Sequence, residues 1–226
     1  MEWPEDYSSW VQTSDEVVFV ELEARFWDIH KTNCLLMQVA ETNLDETMNT
    51  DFQELYSSNE EMSWMTGGAE IEHLAESEHD SATNIHHFLA PAMSLVALYI
   101  FVEKGLKDIC WWYQELQSNT GVLPSSLEIP EGIRFKVKKR RDESQIDANV
   151  RFLVDELGID FNLRSEIREL LELTRRVRNN FAHGDWAAVR AGLNTVDLDT
   201  GFGLVALLFM DLSEACGKRQ PPQNIS

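Results

Sequence analysis

The chain has 226 residues, 43% of them hydrophobic, and a formal net charge of -20 at pH 7. This is enough for one large buried core or a domain with a sizeable extension. The acidic start Met1-Glu2-Trp3-Pro4-Glu5-Asp6 lacks the basic stretch of a secretory signal, and no apolar run is expected to reach the 18 or so residues of a membrane span; Cys34, Cys110 and Cys216 lie far apart without a CxxC pair, so neither a disulfide framework nor a zinc cluster is expected, and a reducing, cytoplasmic setting fits.

The pattern is helical almost throughout. From Asp15 to Glu41, apolar residues recur at Val18, Leu22, Phe26, Ile29 and Leu36, close to the 3.6-residue period. A polar stretch from Asn43 to Thr50 precedes a short apolar segment that ends near Trp64-Met65, and Gly67-Gly68 breaks it. A helix is expected over Ala69–Glu78, then a long apolar one from Asn84 to Gln117, with Pro91 tolerated near its first turns. Phe88 to Val102, the most apolar part, carries Pro91 and Ser94 and ends in Glu103-Lys104, so it reads as a buried helix. Ser118 to Arg141 is irregular, with alternating Ile133, Phe135 and Val137 predicting a short strand or hairpin arm. Two helices follow, one from near Asp142 to Gly158, the other from near Asn162 to Gly184, each stopping at a glycine. A last apolar helix, Phe202 to Ala215, precedes a polar tail. The expected class is all-α, with an acidic helical extension over 1–83, an up-and-down helical bundle over 84–216 and a flexible tail over 217–226.

The segment Arg178-Asn179-Asn180-Phe181-Ala182-His183 is the candidate functional centre. At about 100° per residue, Leu171, Thr174, Arg178 and Phe181 share one stripe, so Arg178 stands in or beside an apolar face, where an unpaired guanidinium is costly. His183 lies about 140° around from Arg178, whereas Asn179 is about 40° from His183, one turn earlier. Arg178 and His183 therefore do not share a face of one regular helix, and a second copy crossing the first would be needed to bring them together. A structural alternative stays open: His183 as a C-terminal capping residue, with Arg178 paired to Glu169 or Asp185.

Arg178-Asn179-x3-His183 resembles the defining Arg-x(4–6)-His motif of the HEPN superfamily (higher eukaryotes and prokaryotes nucleotide-binding), in which a polar residue usually follows the arginine, as Asn179 does here. The resemblance covers roughly residues 84–215 and includes the helix Glu166 to Thr174 leading into the motif, Gly184 after it, and Glu103-Lys104-Gly105-Leu106-Lys107 in an earlier helix. It implies a HEPN-type bundle, a homodimer with its active site across the two-fold axis, and metal-independent RNA cleavage in a toxin or defence role, with no cofactor. Such cleavage needs a base for the 2′-hydroxyl, an acid for the departing 5′-oxygen and positive charge at the phosphorane. His183 suits the acid or base, since imidazole titrates near neutrality. Arg178 suits the phosphorane and Asn179 the orientation of His183 or the phosphate. Arg176 also satisfies the spacing, on almost the same face as His183. It is read, with Arg175, as supporting charge. Some HEPN toxins carry a tyrosine two residues after the histidine, which their antitoxin modifies; Asp185 stands there, so a partner antitoxin or regulator would act differently.

Charge is distributed in the same sense. Residues 1–90 hold 20 acidic side chains against Arg25 and Lys31, while residues 134–190 hold 13 Lys/Arg against 10 Asp/Glu. An acidic chain would ordinarily disfavour RNA, but here the basic residues gather around the motif. Lys136, Lys138, Lys139, Arg140 and Arg141 read as a solvated loop or, if near the site, a grip on RNA phosphate. The acidic half reads as a solvated surface, or as a partner surface that competes with RNA. Glu70-Ile71-Glu72-His73 and Glu76-Ser77-Glu78-His79 have Glu-x-x-His spacing but mostly polar surroundings, and His86-His87 reads as a surface or boundary pair. Trp27, Trp64, Trp111 and Trp112 read as core, whereas Trp186 is the tryptophan placed to serve the site. A non-catalytic HEPN-like module binding a nucleotide or a protein is the second reading.

Overall fold

A computed structural model describes residues 17–50, 68–118, 129–131, 133–195 and 197–218. The expected apolar segment ending at Trp64-Met65, the first part of the irregular stretch (119–128) and the tail beyond 218 lie outside the described residues. The helices are α1 (Val17–Asn49), α2 (Gly68–Asn84), α3 (Ala90–Ser118), α4 (Gln145–Arg151), α5 (Ser165–His183), α6 (Trp186–Leu193) and α7 (Leu198–Gly217). Among the described residues there is no strand, as the all-α expectation requires.

The central element is α3. Leu98, Val102, Leu106, Ile109, Trp112 and Tyr113 are essentially inaccessible, and α1, α4, α5 and α7 all pack on it. Val18, Phe19, Leu22 and Phe26 of α1 join the same core as Phe202, Val205, Phe209 and Leu212 of α7 and Ile167, Leu170 and Leu171 of α5. The boundary expected at 83/84 falls inside one helical run, His73–Ser118. A wide π-turn over Ile85–Leu89, in which the Ala90 N–H bonds Ile85 O, lies immediately before Pro91. Proline cannot donate the bond that a regular turn would send back to His87, and the wider turn carries the helix past that gap.

Four expectations need correction. The alternation at Ile133, Phe135 and Val137 does not make a strand: Ile133 is exposed, Val137 is buried, and Phe135 lies against helices, 5.7 Å from the Trp111 ring and 6.1 Å from Phe152. A second non-helical segment delays the start of α5 to Ser165, because Ile159, Phe161 and Leu163 enter the core before the helix begins, with the Phe161 N–H bonded to the Ile159 carbonyl at 2.9 Å. Helix α1 continues through the expected polar stretch to Asn49; Thr47 and Asn49 bond carbonyls four residues back, and the Thr47 carbonyl meets the His79 ring of α2 at 2.8 Å. Finally, His73–Ser118 and Leu198–Gly217 are both long and apolar enough to cross a membrane by length and composition, although only 50% and 56% of those apolar windows are buried inside the bundle.

Packing of α3 against α7 depends on Gly105. A Cβ there would lie 2.9 Å from Phe209 Cζ and 3.2 Å from Leu22 Cδ2, both on buried side chains. Gly105→Ala gains helix propensity but must displace a buried ring, so we expect a net destabilisation of about 1–3 kcal/mol in denaturant unfolding. Gly217→Ala, with open space around the new methyl, should be neutral within about 0.5 kcal/mol. Equal behaviour of the two variants would mean that the approach of α3 to α7 does not limit stability.

Candidate functional site

The motif occupies the last two turns of α5. That helix buries Ile167, Leu170, Leu171, Thr174 and Val177 and ends in Gly184 at φ 72°, a left-handed conformation suited to glycine. Its C-terminal half rests on a second apolar cluster, in which Val177 and Phe181 meet Phe88 and Leu95 of the preceding helical run and Val189 of α6. Helix α6, which the sequence reading did not foresee, begins where Asp185 accepts the Ala188 N–H at 3.2 Å. The signal was present: an Asx residue directly after a helix-ending glycine, followed by Ala187-Ala188.

Arg178 is exposed beside this apolar face and not within it. Its Nη1 donates to Asn179 Oδ1 at 2.9 Å, and its guanidinium lies 5.9 Å from the ring centre of Tyr99 on α3. Neither Glu169 nor Asp185 takes the ion-pairing role considered for them, and among the described residues Arg178 forms no ion pair. Glu172 instead holds Arg175 by two bonds of 2.8 and 3.0 Å and lies 3.7 Å from Arg176. The Glu172 hydrogen bond is the first cause raising the Arg175 pKa. Burial, the first cause, pushes the Tyr99 hydroxyl above its ordinary range, with Glu103 adding to the rise and Arg178 and Arg175 opposing it. Of the three arginines, Arg178 therefore has the charge least matched by a carboxylate.

Arg178 opens into a cleft of about 640 Å³ that it shares with Ile100, Lys104, Lys107 and Gln145. His183 does not line this cleft. It is exposed at the end of α5, where the Gly184 N–H bonds the Phe181 carbonyl and, among the described residues, the imidazole has no hydrogen-bond partner. Trp186, three residues on, is 47% exposed, with its ring edge-on to Phe181 at 5.4 Å and to Phe88 at 6.0 Å. Arg190 stacks 4.2 Å over Phe88 and donates to Asn84 Oδ1. Within one chain the structure bonds Arg178 to Asn179 and leaves His183, one turn beyond Asn179, outside the cleft that Arg178 lines.

The basic segment is organised separately. Arg151 donates to the Lys138 carbonyl at 2.8 Å and pairs with Glu143 at 2.8 Å, and Arg140 lies 3.7 Å from Asp155. Lys138, Lys139 and Arg140 are exposed. Among the described residues no group of three or more His, Cys, Asp or Glu side chains is arranged for a metal ion. His79 bonds the Thr47 carbonyl, while the His86 and His87 rings touch edge-on at 4.4 Å in the π-turn. Trp111 and Trp112 are buried, as expected; Trp64 lies outside the described residues. The residues missed by sequence reasoning are Tyr99 and Gln145, and the part played by Lys104 and Lys107. Two lysines three apart on an otherwise apolar helix were the available signal.

No protein-family model matches the chain, and neither a curated protein nor a solved structure does.

Glu143 yields a pH prediction. Arg151, then the Arg140 backbone N–H, hold its carboxyl down from the ordinary 4.5 to about 2. A depressed folded-state pKa contributes stability that is complete above about 4.5 and lost as pH falls toward 2. Glu143→Gln should flatten the fall of the melting temperature across that window; an unchanged acid profile would show that the pair does not anchor the basic segment.

Proposed function

We propose that the chain is a HEPN-like, metal-independent endoribonuclease, acting as a homodimer in the cytoplasm in a toxin or defence role, with a partner antitoxin or regulator. The observation that carries this reading is the state of the motif's charge: among the described residues Arg178 forms no ion pair, is steadied by Asn179 and opens into a cleft, while the exposed His183 imidazole at the helix end has no hydrogen-bond partner. That is what a phosphate-stabilising cation and a proton-transfer group require. In the proposed reaction the 2′-oxygen attacks phosphorus as a base takes its proton. Arg178 neutralises the phosphorane oxygens and the 5′-oxygen departs with a proton from an acid, leaving a 2′,3′-cyclic phosphate and a 5′-hydroxyl. His183 serves one of these proton transfers, and Asn179 orients Arg178 through its Oδ1. Since the two side chains diverge on one helix, each site takes Arg178 from one protomer and His183 from its partner.

One observation favours the second reading, a non-catalytic HEPN-like module: the overall charge of -20 opposes RNA away from the motif. RNA cleavage in the presence of a chelator separates the two. We expect cyclic-phosphate products from the wild type, with Arg178→Ala and His183→Ala each slower by about 10²-fold or more and Arg176→Ala by less than about tenfold. A wild type as inert as both variants would sink the nuclease reading, and a larger loss in Arg176→Ala would exchange the roles of the two arginines.

A further inference from the structure

We infer that two copies of the chain pair through one narrow stripe of α3, antiparallel about Ala97, so that the end of the partner's α5 closes over the cleft at Arg178. The inference rests on the homodimer of the proposed reading, which assigns it no face, but not on cleavage.

The surface of α3 carries it first. Between Ala90 and Tyr113 only Met93, Ala97, Ile100 and Lys104 are exposed. Their spacing of four, three and four residues puts them on one line, the seam along which two helices pack. Met93 and Ile100 are 50% and 51% exposed, and Ala97 between them is small enough for a second backbone to approach. Two mostly apolar hollows of about 290 and 590 Å³ border the stripe on its α1 side, sharing Ile29 and Ala97. Apolar surface left uncovered on an otherwise buried helix marks an interface. Reversed end to end, the stripe matches itself: Met93 falls opposite the partner's Ile100, and Ala97 falls on the two-fold axis.

Charge sets the direction. A parallel pairing would set Lys104 against its own copy, and like charges face to face oppose association. The antiparallel pairing carries the two Lys104 side chains to opposite ends of the seam. Such an isologous contact closes on itself and stops at two copies.

The register carries it further. Helix α5 runs back along α3: the Arg178 guanidinium lies 5.9 Å from the Tyr99 ring centre, and Phe181 packs on the cluster of Phe88 and Leu95. Trp186, just past the end of α5, meets the Phe88 ring at 6.0 Å, so α5 ends level with Phe88. At about 1.5 Å per residue, Phe88 lies about 14 Å along α3 from Ala97, with Lys104 and Lys107 about 10 and 15 Å away in the other direction. The two-fold axis therefore brings the partner's His183 to the level of Lys104 and Lys107, which line the Arg178 cleft. That axis lies in the interface, perpendicular to the helices, so both α5 helices fall on the same flank of the seam. The charges agree: the carbonyl end of the partner's α5 and the exposed carboxylate of the partner's Asp185 approach the cations of the cleft.

The test is cross-linking and sedimentation of the full-length protein. Cross-linking uses a Cys34→Ser background, since Cys110 and Cys216 are buried. On mild oxidation, Ala97→Cys and the double variant Met93→Cys/Ile100→Cys should each form covalent dimers about tenfold or more faster than Met93→Cys alone, or than Met48→Cys, exposed near the end of α1. In the natural background, Ala97→Glu sets two carboxylates together on the axis and should weaken dimerisation about 30-fold or more, with an unchanged circular-dichroism signal showing that the exposed site is tolerated. A wild type that sediments as a monomer, or an Ala97→Glu protein that dimerises as tightly as the wild type, overturns the inference. So does Met93→Cys linking to its own copy as fast as Ala97→Cys, because the stripes would then run parallel. Cleavage that persists in an unaltered Ala97→Glu dimer would sink this face and leave the nuclease reading. A dimer lost in Ala97→Glu, from a wild type that leaves RNA intact, would do the reverse.

Discussion

Helix α3 supplies the largest share of the core, and the positions of the other helices follow from how each covers its buried faces. Most of its apolar side chains need cover, so α1, α5 and α7 are held to it by the area that they remove from water. Gly105 lets the Phe209 ring approach the α3 backbone, and Leu22 of α1 closes on the same point. Three helices therefore converge where one side chain is missing. Tyr99 and Ile100, two residues of the same helix facing different ways, explain how the core reaches the site: Tyr99 is buried against α5, and Ile100 forms part of the cleft wall.

The position of the motif follows from this packing. Helix α5 is fixed along its length by Ile167, Leu170, Leu171 and Val177, so the directions of Arg178 and His183 are set by helical geometry and not by flexible linkers. Glu172 takes up Arg175 and Arg176, which sharpens the choice between neighbouring arginines that spacing alone left close. The motif's side chains fall in two places: Arg178 in a cleft shared with α3, and the His183 imidazole exposed at the helix terminus. The wide π-turn at Ile85–Leu89 contributes indirectly, because it places Phe88 under Trp186 and Arg190.

Much of the fold was legible because it is periodic. The apolar repeat of α1, the stripe of α5 and the glycine stops at Gly158 and Gly184 all appear in the structure, both glycines at positive φ. Alternating apolar residues were ambiguous, since Phe135 and Val137 alternate against helices as they would in a sheet. Helix α6 was overlooked because eight residues hold barely two turns of pattern. At the site, the pairing of Arg178 with Asn179 was adjacent in sequence and easy to anticipate. The cleft was not, for Lys107, Gln145 and Arg178 meet only through packing between residues far apart in the chain, and no local spacing encodes that.

The proposed site requires Arg178 of one protomer to work with His183 of its partner. The most direct measurement mixes the Arg178→Ala and His183→Ala proteins, allows the subunits to exchange, and assays RNA cleavage. If sites are shared between protomers, each mixed dimer carries one intact site and one doubly defective site. The mixture of two inactive proteins then recovers on the order of a quarter of wild-type activity, as random pairing makes half the dimers mixed. No recovery, with subunit exchange demonstrated and each parent inactive, would contradict the shared site and return Arg178 and His183 to separate roles.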